Sequence, residues 1–297
     1  MSPPFLGSVA IFAHNEASTI ASTLDSVLLQ DRADLLQIFV LVNGSQDATE
    51  SIVREYSKSH SNVNLVVLDL ADKANAWNYY VHTLRPKASV YFFVDGDMVV
   101  TPGSFLALNN VLSESSKAHA AGAFPATGRN KESWSTRMRR IGRLAGCLYA
   151  LKGDFISELR EQHIFIPIGF IGEDFFLSCL VKGDFTQRGL IQPSPKLIFS
   201  ADAGFAFRSL STFKPWDWFN YAKRLVSYQV REYQLIMLLN YVQVHGQESL
   251  PSDVVTLYRQ SAELPRYYWR GRMSLFDWLA VRRIRIDSKG NQLKQTK

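Results

Sequence analysis

Two aspartates separated by one glycine, Asp95 and Asp97, have the clearest capacity for chemistry in this chain. They follow the apolar run Val90 to Val94, so the chain leaves a predicted strand through them. In extended geometry, residues two apart project to the same side, and Gly96 between them leaves room for a diphosphate to approach the backbone. Paired carboxylate oxygens suit Mg²⁺ or Mn²⁺ shared with phosphate groups. The pattern indicates a metal-diphosphate site, although an isolated pair of this kind is common in solvated turns.

A second acidic pair, Glu173 and Asp174, precedes a predicted helix over Phe175 to Val181. Acidic side chains in a first turn stabilise a helix through its dipole. The same dipole keeps Asp174 ionised, and an ionised carboxylate is what a general base requires. The pair therefore fits both a structural and a catalytic role.

The elements that must position these acids follow from hydrophobic patterning. Apolar runs alternate with amphipathic stretches through the first hundred residues, which predicts strands joined by helices over a mainly parallel sheet. The strand before Asp95 is apolar on both faces and is therefore predicted to be central. The predicted strands are Ser8 to Ala13, Ile38 to Val42, Val63 to Leu68, Val90 to Val94 and Ala118 to Phe124; the predicted helices are Glu16 to Gln30, Ala48 to Lys58 and Lys73 to Leu84.

Three polar motifs follow predicted strands at the points where those strands end. They are HNE at 14–16, NGSQD at 43–47 and DGDM at 95–98. In open α/β sheets the ligand lies beyond the carboxyl ends of the strands. The sequence therefore predicts that the three motifs share one ligand site.

The ordered motifs resemble those of family 2 glycosyltransferases of GT-A fold. HNE resembles that family's Asn-Glu turn, NGSQDAT its Asp-Gly-Ser-x-Asp-x-Thr segment, KANAWN its Lys-Gly-x-Ala-x-Asn segment, VDGDM its Asp-x-Asp strand end, and GED at Gly172 to Asp174 its Glu-Asp catalytic pair. The match spans about Val9 to Leu180. It implies a GT-A-like single large α/β domain with a mainly parallel, Rossmann-like central sheet and a helical C-terminal extension.

The resemblance implies a metal-dependent inverting hexosyltransferase that uses a nucleotide diphosphate sugar, with a UDP-sugar favoured. Asp174 would be the catalytic base with Glu173 beside it, and Asp97 with Asp95 would ligate Mn²⁺ or Mg²⁺. Such a transfer needs an ionised carboxylate opposite the leaving group, while the metal replaces a general acid. The donor-binding residues implied are Ala13, His14, Asn15, Glu16, Asn43, Lys73, Asp95 and Gly96.

The chain departs from the family pattern at two positions. Val42 and Asn43 stand where the family often has two aspartates, which leaves Asn43 as a neutral substitute for a contact to the base. Ala74 replaces a frequent glycine. Both departures leave the identity of the donor open. Asn43 also suits an ordinary turn, and His14 fits a surface or core histidine equally well.

Three segments follow from this interpretation: a nucleotide-sugar-binding half over 1–126, an acceptor-binding half with the catalytic pair over 127–214, and a helical extension over 215–297. Basic and aromatic residues recur around and within the extension, including Lys214, Trp216, Trp218, Arg224, Trp269, Arg270, Trp278 and Arg282. Such side chains commonly pack in helix cores. The functional alternative is peripheral contact with the cytoplasmic face of a membrane, which would admit a lipid-linked acceptor.

Composition bounds the remaining possibilities. The 297 residues, 46% of them hydrophobic, suffice for one large domain. Cys147 and Cys179 lack the spacing of a zinc site, so reduced, buried thiols and a cytoplasmic location are expected. The sequence shows no signal peptide and no apolar run near the roughly 20 residues of a spanning helix.

The formal charge of +6 fits nucleic acid, an anionic membrane or phosphorylated substrates equally well. Two alternatives remain open. A nucleotidyltransferase would want a glycine-rich basic loop where this chain has HNEAS. A nucleic-acid-binding protein is disfavoured because the acidic strand ends would repel phosphates without a metal. The expected partners are therefore the nucleotide sugar and a saccharide or lipid-linked acceptor in polysaccharide or glycoconjugate synthesis, and no nucleic acid.

Overall fold

The computed structural model describes residues 6–31, 36–207, 215–261, 263–269, 271 and 274–289, with 215–220 described by their backbone. Some residues singled out in the sequence lie outside this range: Lys214, Arg270, the side chains of Trp216 and Trp218, and most of the C-terminal tail.

The first half of the chain alternates strands and helices as the patterning predicts. All five predicted strands and the three predicted helices are confirmed with shifted ends, the fifth strand as Ala120–Pro125 in the second half of the chain. The elements are β1 Gly7–Ala13, α1 Ile20–Leu28, β2 Leu36–Asn43, α2 Thr49–Ser59, β3 Val63–Leu68, α3 Lys73–Asn78, a π-helical continuation Tyr79–Leu84, and β4 Val90–Asp95.

The second half contains more regular structure than the sequence indicated. Its elements are β5 Met98–Val100, α4 Ser104–Glu114, β6 Ala120–Pro125, α5 Lys131–Ile141, β7 Leu148–Lys152, α6 Gly153–Glu161, α7 Glu173–Lys182, a short 3-10 turn Gly189–Ile191, and β8 Leu197–Phe207. The strands β5, β7 and β8 were not predicted, because they are short or antiparallel and lack a clear alternation of apolar and polar residues.

The eight strands form one sheet in the order β3-β2-β1-β4-β7-β6-β8-β5. Parallel pairs join β3, β2, β1 and β4, and β6 to β8, whereas β7 is antiparallel to both of its neighbours and β5 is antiparallel to β8. The predicted mainly parallel sheet with β4 at its centre is confirmed. Alternate residues of β4 enter different cores, since Phe92 and Phe93 are each fully buried on opposite faces.

The C-terminal helices pack on one another and share a core with one face of the sheet. They are α8 Pro215–His245, α9 Val254–Gln260 and α10 Ser274–Lys289, with a 3-10 turn at Gln247–Ser249. Leu238, Leu257 and Ile284 are fully buried in the same core as the aromatic residues of α3 and β4. Among the helices of the described ranges, none combines the length and apolar character needed to cross a membrane.

Both cysteines are free thiols. Cys179 is buried in the core, as expected. Cys147 differs from the expectation of an inert core thiol, because it is only half buried and lines the main cleft.

Candidate active site

The strand-end motifs are held together by hydrogen bonds between the first two turns. These bonds fix the chain from Asn15 to Ala17 against the second turn, and α1 begins after it, at Ile20. They run from the Asn15 N–H to Ser45 Oγ (3.0 Å), the Gln46 N–H to Asn15 Oδ1 (2.8 Å), the Glu16 N–H to Thr49 Oγ1 (2.7 Å) and the Ala17 N–H to Asp47 Oδ2 (3.0 Å). The two turns form one rigid unit beside the site.

Gly96 is required by the packing of strand β1. Its N–H donates to the Phe12 carbonyl at 2.8 Å, and a Cβ at this position would lie 2.8 Å from that oxygen and 3.1 Å from Ala13 Cβ. The space that a side chain would take is therefore filled by β1. This corrects the expectation that the glycine makes room for a diphosphate.

Asn43 is held by backbone groups. It is 4% exposed, and in the amide orientation that satisfies both ends it donates to the Ala13 carbonyl (2.9 Å) and accepts from the Asp72 N–H (3.3 Å). His14 Nδ1 lies 2.7 Å from the Asn43 carbonyl oxygen. Both residues tie strand ends together, and neither lines the cleft described below. Their contact with a donor stays a prediction.

Lys73 connects a predicted metal ligand, Asp95, to a residue of the predicted catalytic pair, Glu173. It lies in the first turn of α3, whose N-cap Asp72 accepts from the Asn75 N–H at 2.7 Å. Its Nζ forms ion pairs with Asp95 and, at 2.5 Å, with Glu173 Oε1. Burial opposes its charge, but the two carboxylates outweigh burial and raise the pKa of Lys73 well above its usual value. Its partners here are protein side chains, and its predicted contact with the donor stays a prediction.

The end of β4 places the two predicted metal ligands in different surroundings. Burial raises the pKa of Asp95 to about 7, although Lys73 opposes that shift. Burial also raises the pKa of Asp97, whose carboxylate has no ion-pair partner among the described residues. Asp97 therefore has oxygens left for a metal. Burial raises the pKa of half-buried Glu16, and the charge of Asp97 raises it further. The first turn therefore borders the Asp97 carboxylate.

Glu173 and Asp174 form the first turn of α7, after Gly172 in the left-handed region (φ 90°). The Gly146 N–H donates to Asp174 Oδ2 at 3.0 Å. A Cβ on Gly146 would lie 3.1 Å from Lys73 Nζ and 3.4 Å from Glu173 Oε1, so a side chain there would crowd the ion pairs. Burial first, and then the neighbouring Glu173, raise the pKa of Asp174.

The loop before α7, residues 164–172, is anchored from three sides. Asp72 Oδ2 accepts from the Gly169 N–H at 2.8 Å, and Asn78 exchanges two hydrogen bonds with the Ile166 backbone (2.7 and 2.9 Å). Gln234 of α8 accepts from the Ile171 N–H at 2.8 Å. The acidic pair is thereby positioned by α3 and by the C-terminal helices together.

One cleft of about 760 Å³ is lined by five of the predicted site residues, Lys73, Asp95, Asp97, Glu173 and Asp174. The predicted donor-binding residues Ala13, His14, Asn15, Glu16, Asn43 and Gly96 do not line it. We name Asp95, Asp97, Glu173 and Asp174 the carboxylate cluster. The same cleft is lined by Arg137, Arg143, Arg224 and Arg231, which we name the arginine cluster. Sequence reasoning missed the arginine cluster as part of the site. The recurrence of Arg beside aromatic residues was the signal that could have found it.

The carboxylates available as ligands fit a divalent metal that binds together with its substrate. Among the described residues, no group of three or more His, Cys, Asp or Glu side chains could hold a metal ion alone. Two neighbouring carboxylates, Asp95 and Asp97, nevertheless line the cleft. Mg²⁺ is commonly held by one or two carboxylates completed by substrate phosphates. The residues present fit that incomplete type of site.

The model of glycosyl transferase family 2 matches residues 8–176, which is more than half of the chain. The chain belongs to glycosyl transferase family 2. The matched segment runs from β1 into α7 and so contains the whole carboxylate cluster. Membership favours the predicted glycosyltransferase over the nucleotidyltransferase and nucleic-acid-binding alternatives. No curated protein matches this glycosyltransferase in sequence at a significant level.

Solved structures share the fold of this glycosyltransferase. The mannosyltransferase PcManGT from Pyrobaculum calidifontis, in complex with GDP-Man and Mn²⁺, has a TM-score of 0.56 at 15% identity, over 98% of this chain and 77% of that one. TarS from S. aureus with UDP-GlcNAc gives 0.52 at 13% identity, over 95% and 81%. GalNAc-T7 with UDP, GalNAc and Mn²⁺ gives 0.54 at 15% identity, over 84% and 54%. The predicted GT-A fold is confirmed.

Proposed function

We propose that this family 2 glycosyltransferase transfers a hexosyl group from a nucleotide diphosphate sugar, with a UDP-sugar favoured, to an acceptor hydroxyl with inversion at the anomeric carbon. The observation that carries the proposal is the cleft in which Asp97 is left open while Lys73 ties Asp95 to Glu173 beside Asp174. GDP-Man, UDP-GlcNAc and UDP in the similar structures support a nucleotide donor.

The carboxylate cluster divides into two roles under this proposal. Asp97, with Asp95, would hold Mn²⁺ or Mg²⁺ together with the donor diphosphate, and Mn²⁺ in two of the similar structures supports this assignment. The metal, when bound, neutralises the charge that develops on the departing nucleoside diphosphate. Lys73 keeps Asp95 and Glu173 in place. The turns at Ala13 to Glu16 and at Asn43 flank the donor.

Asp174 is the general base. Its ionised carboxylate takes the proton of the acceptor hydroxyl as that oxygen forms a bond to the anomeric carbon. The bond from the anomeric carbon to the diphosphate breaks, and its electron pair leaves with the nucleoside diphosphate. The Gly146 N–H fixes Asp174 Oδ2, so the other oxygen, Oδ1, is the one that faces the acceptor.

The acceptor is a saccharide or a lipid-linked saccharide in polysaccharide or glycoconjugate synthesis. A cytoplasmic enzyme with peripheral membrane contact fits the C-terminal region, where Trp269 and Trp278 are 78% and 42% exposed. Arg282 stacks on Trp278 with its Cζ 5.4 Å from the ring centroid. Exposed Trp and Arg together suit an anionic lipid interface. Flotation with anionic vesicles tests this contact, and wild-type protein that stays unbound would remove it.

The proposal is tested first by nucleotide binding. UDP, GDP, TDP and CMP are titrated into the full chain with and without Mn²⁺, and thermal stability is measured. One nucleoside diphosphate should stabilise the protein only with the metal, by about 2.7 kcal/mol at a hundred times its dissociation constant. Asp97→Asn should lose that stabilisation, whereas Asp202→Asn, which removes an exposed carboxylate of β8, should keep it. The absence of any metal-dependent nucleotide effect in the wild type would refute the proposal.

A further inference from the structure

Arg143 and Arg231 lie beside the acidic pair without a carboxylate partner of their own. Their Cζ atoms lie 3.8 and 4.1 Å from the ring centroid of Phe175, the residue directly after Asp174. Neither forms an ion pair in the part of the chain that the structure describes. Two positive charges are therefore held on one ring next to the acceptor side of the site.

Arg231 is fixed in this position by the backbone of the acidic turn. A Cβ on Gly172 would lie 2.2 Å from Arg231 Cδ, so the stem of the arginine occupies the space that the glycine leaves. The Nε of Arg231 is buried and donates no hydrogen bond within the described residues. A buried donor without a partner is costly unless a ligand satisfies it.

The charges around Arg143 and Arg231 favour the binding of an anion between them. Burial lowers the pKa of Arg143, and the neighbouring Arg231 and Arg137 lower it further, although Asp174 opposes them. Holding like charges together disfavours the charged state of each. An oxyanion bound between the guanidinium groups would relieve this repulsion, and guanidinium groups match carboxylate and phosphate geometry.

The arginine cluster divides along the same line as the carboxylate cluster. The charge of Arg224 acts on Asp97, at the side assigned to the metal and the diphosphate. The charge of Arg231 acts on Asp174, where the acceptor hydroxyl must lie. Arg224 therefore lies on the donor side of the cleft, while Arg143 and Arg231 lie on the acceptor side, around the ring that follows Asp174.

We propose that the acceptor carries a phosphate or carboxylate group near its reacting hydroxyl, and that Arg143 and Arg231 bind this oxyanion. The inference rests on the proposed function, because it takes Asp174 as the base that marks the acceptor side.

The test uses the full chain saturated with Mn²⁺ and the nucleoside diphosphate that binds it. Glycerol 3-phosphate, glycerate and neutral glycerol are titrated into this complex by calorimetry. The two anions should bind and glycerol should not. Arg143→Gln and Arg231→Gln should each weaken anion binding about ten- to hundred-fold, the range for a lost charge-assisted hydrogen bond. Arg188→Gln removes an exposed arginine outside the cleft and should change nothing.

Vesicles distinguish a lipid headgroup from a soluble anion as the source of the group. Binding to phosphatidylglycerol vesicles that both arginine variants abolish would place the oxyanion on a lipid. Vesicle binding that is absent, or that survives in both variants, with glycerol 3-phosphate binding still lost, would place the oxyanion on a soluble acceptor. Either result supports the inference.

Three outcomes would overturn it. If Arg143→Gln and Arg231→Gln weaken the binding of the nucleoside diphosphate as strongly as the binding of the anions, the two arginines bind the donor. If the anions do not bind the loaded wild type, or bind equally to both variants, the acceptor site is not an oxyanion site while the proposed function stands. If no nucleotide binds with Mn²⁺, the proposed function and this inference fall together.

Discussion

The carboxylate cluster and the arginine cluster line the same cleft but are held in different ways. Lys73 pairs with Asp95 and Glu173, and the Gly146 N–H fixes Asp174, so three of the four carboxylates have a protein partner. Arg143 and Arg231 share the ring of Phe175, Arg231 also lies over the ring of Tyr228, and neither has an ion-pair partner among the described residues. The difference indicates that the carboxylate cluster is pre-organised by the protein, whereas the arginine cluster has charges that a ligand can bind.

The largest expected effect tests whether Asp174 belongs to the chemistry of the carboxylate cluster. Asp174→Asn should lower the rate of nucleoside diphosphate release from the donor by about 10²- to 10⁴-fold, because a general base is lost. The metal-dependent affinity for the nucleotide should stay within about two-fold, since Asp174 acts on the acceptor hydroxyl and does not contact the diphosphate in the proposed mechanism. Asp154→Asn, a first-turn acid of α6 outside the cleft, should be neutral. A variant that retains the wild-type rate would remove Asp174 from the mechanism.

The next prediction tests whether Lys73 is what holds the acidic side together. Lys73→Met should reduce the free energy of unfolding by about 3 kcal/mol or less, because two largely buried carboxylates lose their cation. The folded pKa of Asp95, about 7, already lies above its unfolded value, so ionisation costs stability as pH rises from about 4 to 7. Without Lys73 this cost grows, so the loss should be larger at pH 8 than at pH 4.

Chemical denaturation at both pH values measures the effect of Lys73→Met. The matched control is Lys58→Met, which breaks an exposed pair with Glu55 at 2.7 Å. That change should cost no more than about 0.5 kcal/mol. An equal loss in the two variants would mean that Lys73 is an ordinary surface charge.

A smaller effect is expected from Gln234, which holds the loop before the acidic pair. Gln234 is 2% exposed and bonds the Ile171 N–H, and its Nε2 donates to the Tyr258 hydroxyl at 2.7 Å. Gln234→Leu should lower the turnover rate about ten-fold, since small misplacements of catalytic groups are costly. Nucleotide affinity should be unchanged. Gln243→Leu, an exposed glutamine of the same helix, is the control. A loss of nucleotide affinity equal to the loss of rate would indicate general unfolding and contradict a positioning role.

The smallest expected effect is a shift in the pH dependence of kcat/KM. It tests whether a residue of the arginine cluster acts on the carboxylate cluster. Because burial and Glu173 raise the pKa of Asp174, the acid limb of kcat/KM should lie above the usual range of an aspartate, about 3.9. Arg231 favours the ionised form of Asp174, so Arg231→Gln should raise its pKa further and move the limb to higher pH. Activity should therefore fall more on the acid side than at pH 8. An unshifted limb would show that the two clusters act independently.

The strand-end residues could be predicted because each depends on nearby sequence. Asp95 and Asp97 follow an apolar strand, so the pattern located them. Asp174 follows Gly172 at a helix start, and the resemblance to the family's Glu-Asp pair singled it out. The reason for Gly96 was wrong, since its neighbours Phe12 and Ala13 are far away in sequence. The contacts of the turn before α1 were missed for the same reason: the side chains that accept from the N–H groups of Asn15, Glu16 and Ala17 come from the second turn.

The sequence by itself determined the alternation of strands and helices, the central position of β4 and the carboxylates at the strand ends, because hydrophobic period and local turn chemistry are read along the chain. Only the tertiary structure decided that Lys73 pairs with Asp95 and Glu173, that β7 runs antiparallel beside β4, and that α8 brings Arg231 to Gly172. These features depend on how distant segments pack, and packing of side chains across long sequence separations leaves no periodic signal in the chain.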